Sequence, residues 1–253
     1  MSKSEKVQQF EIPDNTAFGF SAIDPDDMTN PEDEYTLVSI AEDVSPSTSG
    51  VRSEMAEGMR TVNLACKKDP RCDKLMVHAT RFGSIIQEVH GFKPVNDIDE
   101  KSYSPSPSIG NSTCLYDAIY NAISACSRYA EILDKSGDIS SNAIVFIFTD
   151  GMDNSSSVGV QTIMDKLEEI RMKEILESIK IIILGFNDPN SSYQDEIAKY
   201  LNKLTKDLNL DQYVDVGAMT PAQAAKVFGF VSQSISSQSQ HLGTGGPSQN
   251  LVF

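Results

Sequence analysis

The sequence has few of the residues that build soft-metal sites and disulfide frameworks. Its 253 residues include no tryptophan, three histidines and four cysteines. No two cysteines form a C-x-x-C pair, and the histidines are too scattered to complete a zinc site. We therefore expect free, mostly buried thiols at Cys66, Cys72, Cys114 and Cys126. Cys66 and Cys72 are close enough in sequence to pair in an oxidising compartment, but nothing else in the chain indicates one.

Positive charge and long apolar runs are also scarce. There are 21 Lys and Arg against 36 Asp and Glu, which gives a formal net charge of −15. This charge repels a phosphate backbone and an anionic membrane surface at long range, so neither nucleic acid nor membrane is an expected partner. No apolar run approaches the ~20 residues of a spanning helix, and the first residues lack the apolar stretch of a secretory signal. These absences predict a cytoplasmic protein.

Strand and helix patterns alternate between residues 35 and 235. Continuous apolar runs at 143–148 and 179–186 are typical of strands buried on both faces, whereas residues 51–67 and 114–133 have helical spacing. The order predicts an α/β fold, namely a doubly wound, mostly parallel, Rossmann-like sheet with helices on both faces. We expect six strands, one of them a short antiparallel edge strand within residues 85–95.

Polar segments flank this predicted domain of residues 35–235. Residues 1–34 are rich in acidic residues and chain breakers, which predicts a solvated acidic N-terminal arm. Residues 236–253 are rich in Ser, Gln and Gly, which predicts a disordered tail. Inside the domain, residues 96–112 show no apolar period, and loops of that length tend to be functional or mobile.

Hydroxyl and carboxylate residues follow the predicted buried strands. They are Asp43, Ser45 and Ser47 after the first strand, Thr113 before a central helix, and Asp150 after the strand at 143–148. In an open α/β sheet, ligands bind beyond the carboxyl ends of the strands. Oxygen donors without Cys or His suit Mg²⁺, Mn²⁺ or Ca²⁺. Two buried carboxylates would also repel each other without a cation. The sequence therefore predicts a divalent cation, with Mg²⁺ preferred.

The same residues carry a resemblance to a known family. D-x-S-x-S at 43–47, a Thr at 113 and T-D-G at 149–151 resemble the metal-ion-dependent adhesion site (MIDAS) of von Willebrand factor type A (vWA) domains, and the likeness spans residues 35–235. It implies that the two serines and the Thr touch the metal directly and that the two aspartates supply charge, often through bound waters. It also implies an open coordination position that takes an Asp or Glu from a partner protein.

Two details refine the resemblance. Many family members have Gly between the two serines, where this chain has Pro46; a loop that needed positive φ there would have to differ, because proline fixes φ near −65°. The K-K-D-P run at 67–70 and the R-F pair at 81–82 resemble intracellular bacterial vWA proteins of tellurium-resistance systems.

Three functions remain open at this stage. The first is a metal-dependent protein-interaction module, and the second is a non-catalytic structural or assembly subunit whose metal only stabilises loops. The third, a metal-assisted hydrolase, is disfavoured because the chain lacks a P-loop and a nucleophile elbow. We expect His78 to be a buried, hydrogen-bonded core residue and His90 a surface residue. No enzyme is therefore predicted.

Overall fold

Eight strands form one mixed sheet across the part of the chain that the structure describes. The computed structural model describes residues 7–12, 18–28, 31–187, 193–241 and 252–253. The strands are β1 (Val7–Glu11), β2 (Gly19–Ile23), β3 (Glu34–Asp43), β4 (Leu75–Phe82), β5 (Ile86–Pro94), β6 (Ser140–Thr149), β7 (Ile179–Asn187) and β8 (Gln212–Ala218). The helices are α1 (Arg52–Lys67), α2 (Leu115–Gly137), α3 (Val160–Lys173), α4 (Gln194–Asp207) and α5 (Pro221–His241).

The strand order in the sheet is β1-β2-β5-β4-β3-β6-β7-β8. Five neighbouring pairs are parallel, and two pairs, β1/β2 and β4/β5, are antiparallel. The expectation of a mostly parallel α/β sheet is confirmed. The expected antiparallel pairing of β5 with β4, which their short connection imposes, is confirmed as well.

The predicted count of six strands was wrong, and so was the predicted edge position of β5. β5 is nine residues long, and β2 continues the sheet beyond it. The two additional strands lie in the segment read as an acidic arm, residues 1–34. β1 is largely exposed, so its sequence shows no buried face. β2 is buried, but its five residues begin with glycine and carry little of the strand pattern. The rest of that segment includes residues 1–6, 13–17 and 29–30, which lie outside the described residues.

Helices cover both faces of the sheet, as the alternating pattern predicts. α2, α3 and α4 pack on one face, and α1 and α5 pack on the other. The first face includes an aromatic cluster that joins β2 to the domain. Phe20 packs edge-on against Phe92 of β5 at 5.9 Å, and Phe92 stacks on Tyr129 of α2 at 4.9 Å between ring centroids. The second core contains β3, β4, β6, β7 and β8 side chains beneath α1 and α5.

The C-terminal helix extends beyond the predicted domain end at residue 235. α5 continues to His241, and the part of the predicted tail at residues 242–251 lies outside the described residues. Phe253 packs edge-on against Phe230 with ring centroids 5.7 Å apart, and the Lys226 Nζ lies 4.2 Å from the Phe253 ring centroid. These three residues therefore bring the described end of the chain back to α5.

The four cysteines are free, as expected. Cys66, Cys114 and Cys126 are buried, and Cys72 is half-buried. Burial raises the pKa of the Cys66 thiol to about 12. Among the helices that the structure describes, none combines the length and the apolar character needed to cross a membrane.

Candidate metal centre

The predicted donors gather where the strand order reverses. β3 has β4 on one side and β6 on the other, and all three strands run in the same direction. Asp43 is the last residue of β3, and Asp150 comes directly after β6. The connections that leave these two central strands create a crevice at their carboxyl ends, which is the usual ligand site of such sheets.

Asp43 is held at the base of the crevice. Its side chain is buried, and both carboxylate oxygens accept hydrogen bonds, Oδ1 from the Ser45 backbone N–H (2.8 Å) and Oδ2 from the Thr149 hydroxyl (2.7 Å). Burial raises the pKa of Asp43, because the charged carboxylate loses its hydration. A nearby cation would favour the charged form again, so this position suits a carboxylate that balances metal charge.

The two serines and Asp150 form a short hydrogen-bonded chain. Ser45 Oγ lies 3.0 Å from Ser47 Oγ, and Ser47 Oγ donates to Asp150 Oδ1 at 2.8 Å. Pro46 is the first residue of a short 3-10 helix, Pro46–Gly50, where the fixed φ of proline fits without strain. The loop therefore accommodates Pro46 and still brings both hydroxyls to Asp150.

Thr113 reaches the same edge through a paired backbone contact with Asn154. Its N–H donates to Asn154 Oδ1 (2.8 Å), and its carbonyl accepts from the Asn154 N–H (3.0 Å). A Cβ added at Gly151, the residue after Asp150, would lie 3.7 Å from Thr113 Oγ1. The Thr113 side chain thus lies next to the Asp150 turn, and the structure brings all five predicted residues to one place.

Three residues shape this site through contacts that sequence reasoning did not predict. Thr149 donates to Asp43, and Asn154 holds Thr113. Arg52 donates through Nη2 to the carbonyls of Ser45 (2.9 Å) and Val44 (3.3 Å). Thr149 stands in the T-D-G motif at 149–151, but its hydrogen bond to Asp43 was not predicted. The other two act on backbone groups that no sequence motif records.

Three arginines hold a loop beside the site by its carbonyl groups. The arginine-held loop comprises residues 103–108 of the long loop at 96–112. Arg60 donates to the carbonyl of residue 103 (2.6 Å), Arg81 to that of residue 104 (2.6 Å) and Arg52 to that of residue 106 (3.2 Å). Arg52 therefore ties this loop to the backbone of the D-x-S-x-S loop.

The histidines lie away from the crevice. His78 is fully buried, as expected, and its Nδ1 is 3.0 Å from Ser39 Oγ. The prediction of a surface position for His90 was wrong. Its ring is buried and its Nε2 is 2.8 Å from the Tyr103 hydroxyl. The long loop folds over β5 and covers it, a tertiary contact that the sequence pattern of β5 does not indicate.

The donor set fits a hard divalent cation. Within the described ranges, no three His, Cys, Asp or Glu side chains come together as a metal cluster. The oxygens at this edge come instead from three hydroxyls and two carboxylates, which suits Mg²⁺, Mn²⁺ or Ca²⁺. Ser47 is exposed, whereas Ser45 and Asp150 are buried, so the crevice is open to solvent on the Ser47 side.

Comparison with known proteins supports the fold. No protein-family model and no curated protein sequence matches this chain. The PilB minor pilin from Streptococcus sanguinis is 12% identical over 84% of this chain and 63% of that chain, with a TM-score of 0.57. The pilus adhesin SpaC from Lactobacillus rhamnosus GG, in an open conformation, is 10% identical over 93% of this chain and 36% of that chain, at 0.54.

A third similar structure carries a metal. Proximal thread matrix protein 1 from the mussel byssus, described with a zinc-occupied MIDAS motif, is 14% identical over 80% of this chain and 46% of that chain, with a TM-score of 0.53. This chain shares the fold of these three structures. The chain spans less than two thirds of the length of each of these three structures, and at such low identity the likeness concerns the fold alone.

Proposed function

We propose that this chain is a metal-dependent protein-interaction module. Its site would hold Mg²⁺, or Mn²⁺ or Ca²⁺, and would recruit a partner protein through an Asp or Glu that completes the coordination. The observation that carries the proposal is the gathering of the five oxygen-donor residues, Asp43, Ser45, Ser47, Thr113 and Asp150, at the switch point of the sheet. The zinc-occupied MIDAS motif of the mussel protein supports a divalent cation in general.

Each donor has a distinct role in this proposal. The hydroxyls of Ser45, Ser47 and Thr113 would bind the ion directly, while Asp43 and Asp150 would balance its charge. Neutral hydroxyl ligands leave the ion electrophilic, so that it attracts a carboxylate. The bound ion would supply this electrostatic attraction.

Two alternatives are less well supported. A purely stabilising metal in an assembly subunit would be sealed, whereas Ser47 and Asp150 here line an open cleft. A hydrolase needs a reachable nucleophile. His78 contacts both Ser39 and Glu88, and its Nε2 lies 3.4 Å from the Glu88 carboxylate. Ser39 and His78, however, have no exposed surface. We therefore propose a non-catalytic role. The predicted cytoplasmic location and the exclusion of nucleic acid and membrane partners stay predictions.

Thermal unfolding tests the metal site. With Mg²⁺ at 100 times its dissociation constant, the gain is about 2.7 kcal/mol, which raises the melting temperature by roughly 5–10 °C over EDTA. Asp43→Asn should abolish this rise. In EDTA the same variant should unfold at the native melting temperature or above it. The reason is that it removes a buried carboxyl group whose pKa is raised by burial, so that its charged form is disfavoured.

Asp134→Asn is the matched control, because it removes one exposed carboxylate at the far end of α2. It should keep the full rise in Mg²⁺. Mn²⁺, Ca²⁺ and Zn²⁺ measured alongside would rank the ions. An equal rise in Asp43→Asn and in the native protein would show that Mg²⁺ binds elsewhere and would overturn the proposed site.

A further inference from the structure

A polar cavity of about 90 Å³ lies between α2 and α3, and none of its described lining residues belongs to the donor set of the candidate metal centre. α2 contributes Arg128, Glu131 and two serines to the lining, and α3 contributes Lys166, Glu169 and Lys173. At ~30 Å³ for each water molecule in the liquid, the cavity has the volume of about three waters. It can therefore hold a small ion or molecule, but not a nucleotide or a peptide.

The carboxylates of the lining are already paired on both oxygens. Glu131 accepts from Lys173 Nζ through Oε1 (3.0 Å) and from Arg128 Nη1 through Oε2 (2.8 Å). Glu169 Oε1 lies 2.5 Å from Lys173 Nζ, and its Oε2 accepts from Lys166 Nζ at 2.8 Å. The lining thus contains three cationic side chains against two paired carboxylates, which leaves a formal charge of +1. Lys166 is buried, so part of this positive charge is shielded from water.

Two hydrogen-bond donors of α2 are left without an acceptor at this cavity. Among the residues that the structure describes, neither the Ser124 Oγ nor the Arg128 Nε has a hydrogen-bond partner, although both atoms are buried. The two residues stand four positions apart, on the same face of the helix. The arginine Nε–H can only donate, and a buried donor without an acceptor costs free energy. A ligand that accepts from both groups would remove this cost.

The charge of the lining favours an anion over a water molecule as this ligand. Water could accept both hydrogen bonds, but it would leave the formal charge of +1 unbalanced. The net charge of −15 of the whole chain opposes the entry of an anion. Charges more than ~8 Å apart are largely screened at 0.15 M salt, however, whereas the three cationic side chains border the cavity itself. The local charge therefore decides which ligand the cavity prefers.

We propose that this cavity binds one small monovalent anion, of the size of chloride or acetate, which accepts hydrogen bonds from Ser124 and Arg128. A single negative charge matches the surplus of the lining, and the volume excludes larger anions. The bound anion would connect α2 to the cationic side chains of α3 and so stabilise the contact between the two helices. The proposal does not depend on the metal centre.

Thermal unfolding of the full chain in EDTA tests the anion site without a contribution from metal. Sodium gluconate, whose anion is too large for the cavity, keeps the ionic strength at 0.15 M while chloride or acetate replaces it stepwise. With a dissociation constant of about 1–10 mM, full replacement should raise the melting temperature by roughly 3–12 °C, in a saturable manner. The comparison of chloride with acetate shows whether a halide or a small carboxylate is preferred.

Two variants remove one donor each. Ser124→Ala and Arg128→Lys, which keeps the charge, should each weaken the apparent anion affinity roughly tenfold and lower the rise to about half or less. In gluconate, Ser124→Ala should unfold at the native temperature or above it, because it removes a buried hydroxyl without a partner. The matched controls are Ser136→Ala and Arg171→Lys, at exposed positions of α2 and α3, and they should keep the full rise.

Three results would overturn the proposal. Equal melting temperatures of the native protein in gluconate, chloride and acetate would show that water satisfies the two donors. A full rise in both Ser124→Ala and Arg128→Lys would show that the anions act elsewhere or through general salt effects. A lower melting temperature of Ser124→Ala in gluconate would show that its hydroxyl has a partner without any anion. Ser124→Ala provides the answer if Arg128→Lys fails to fold.

Discussion

Asn154 illustrates how a residue outside the donor set can decide what the set does. It holds Thr113 by accepting one hydrogen bond through its side chain and donating another through its backbone. Supporting residues of this kind commonly change metal affinity by 10–100-fold. We predict that Asn154→Ala weakens Mg²⁺ binding by roughly tenfold, because the Thr113 N–H loses its acceptor. Isothermal titration with Mg²⁺ would measure the change.

Two further variants make that result specific. Asn154→Asp keeps the acceptor and adds a negative charge, so it should retain the native affinity or strengthen it. Asn96→Ala, in an exposed position of the long loop, should have no effect. A native affinity in Asn154→Ala would mean that the α2 helix alone positions Thr113.

The buried His90 side chain makes the free energy of unfolding depend on pH in the mildly acidic range. Burial lowers its pKa from 6.5 to about 4, and the neighbouring Lys93 and His78 act in the same direction, whereas the Gly91 carbonyl and Glu88 oppose it. Below pH 6.5 the unfolded chain binds a proton that the folded protein does not bind until about pH 4. The stability that His90 contributes is therefore complete above pH 6.5 and is lost as pH falls towards 4.

We predict that the native protein loses ~3 kcal/mol more unfolding free energy than His90→Gln between pH 7 and pH 4, at about 1.4 kcal/mol per pKa unit. Urea unfolding of both proteins at the two pH values would measure the difference, and titration of other groups cancels in the comparison. An equal loss in both proteins would show that His90 takes up its proton in the folded protein without a cost in unfolding free energy.

At the scale of elements, the contact between α1 and α5 depends on a glycine. A Cβ at Gly58 of α1 would lie 1.8 Å from the Phe228 ring of α5, whereas a Cβ at Gly229 of α5 would meet nothing within 4 Å. We predict that Gly58→Ala destabilises the protein by about 1–3 kcal/mol through overpacking. Gly229→Ala should stabilise it by roughly 0.5–1 kcal/mol, because alanine loses less entropy in a helix.

Chemical denaturation of the two variants would give both numbers. The pair contains the same substitution in two packed helices, so helix propensity alone predicts a gain in each. A gain in Gly58→Ala would mean that α5 moves away from α1 without cost.

Elements were predictable from the sequence where burial and periodicity act together. The predicted strand at 75–82 matches β4, and the buried runs mark β6 and β7 because both faces of these strands are covered by helices. β1 and β2 were missed because their support is distant in sequence. The Ser21 backbone N–H donates to the Glu88 carboxylate, 67 residues away, at 2.7 Å. No local pattern contains such a bond.

The candidate site, too, contains residues that a local sequence pattern predicts and residues that depend on distant contacts. Its donors were predictable, since hydroxyl and carboxylate residues after buried strands are visible in the sequence. The residues that hold the donors, Arg52 and Asn154, were not predictable, because they bind main-chain atoms of loops whose paths are fixed only by the fold. Metal binding by the five residues stays a prediction until it is measured.

At the scale of the whole molecule, the net charge of −15 opposes the approach of an acidic partner. The cation attracts the partner's carboxylate at short range. The net negative charge of the protein, however, repels that carboxylate over the Debye length, which is ~30 Å at 0.01 M salt. We predict that the association rate of a labelled Gly/Ser peptide that carries one Glu rises several-fold between 0.01 M and 0.15 M NaCl, as screening shortens the repulsion to about 8 Å. Stopped-flow anisotropy in constant Mg²⁺ would measure it.

The same Glu-containing peptide with one added Lys at its far end provides the comparison, because its net charge is zero and its rate should change little with salt. A rate for the acidic peptide that falls as salt rises would mean that the local field of the site dominates the approach.

The hydrogen bonds of three arginines to the arginine-held loop have a consequence for the evolution of this protein. Arg52, Arg60 and Arg81 bind main-chain oxygens, which every amino acid possesses, so these three contacts do not depend on the side chains that the loop displays. Substitutions at an exposed position such as Ser104 can therefore accumulate with little effect on the architecture beside the crevice. Binding specificity can therefore change during evolution through single substitutions at the surface of the loop, while the arginine contacts are kept.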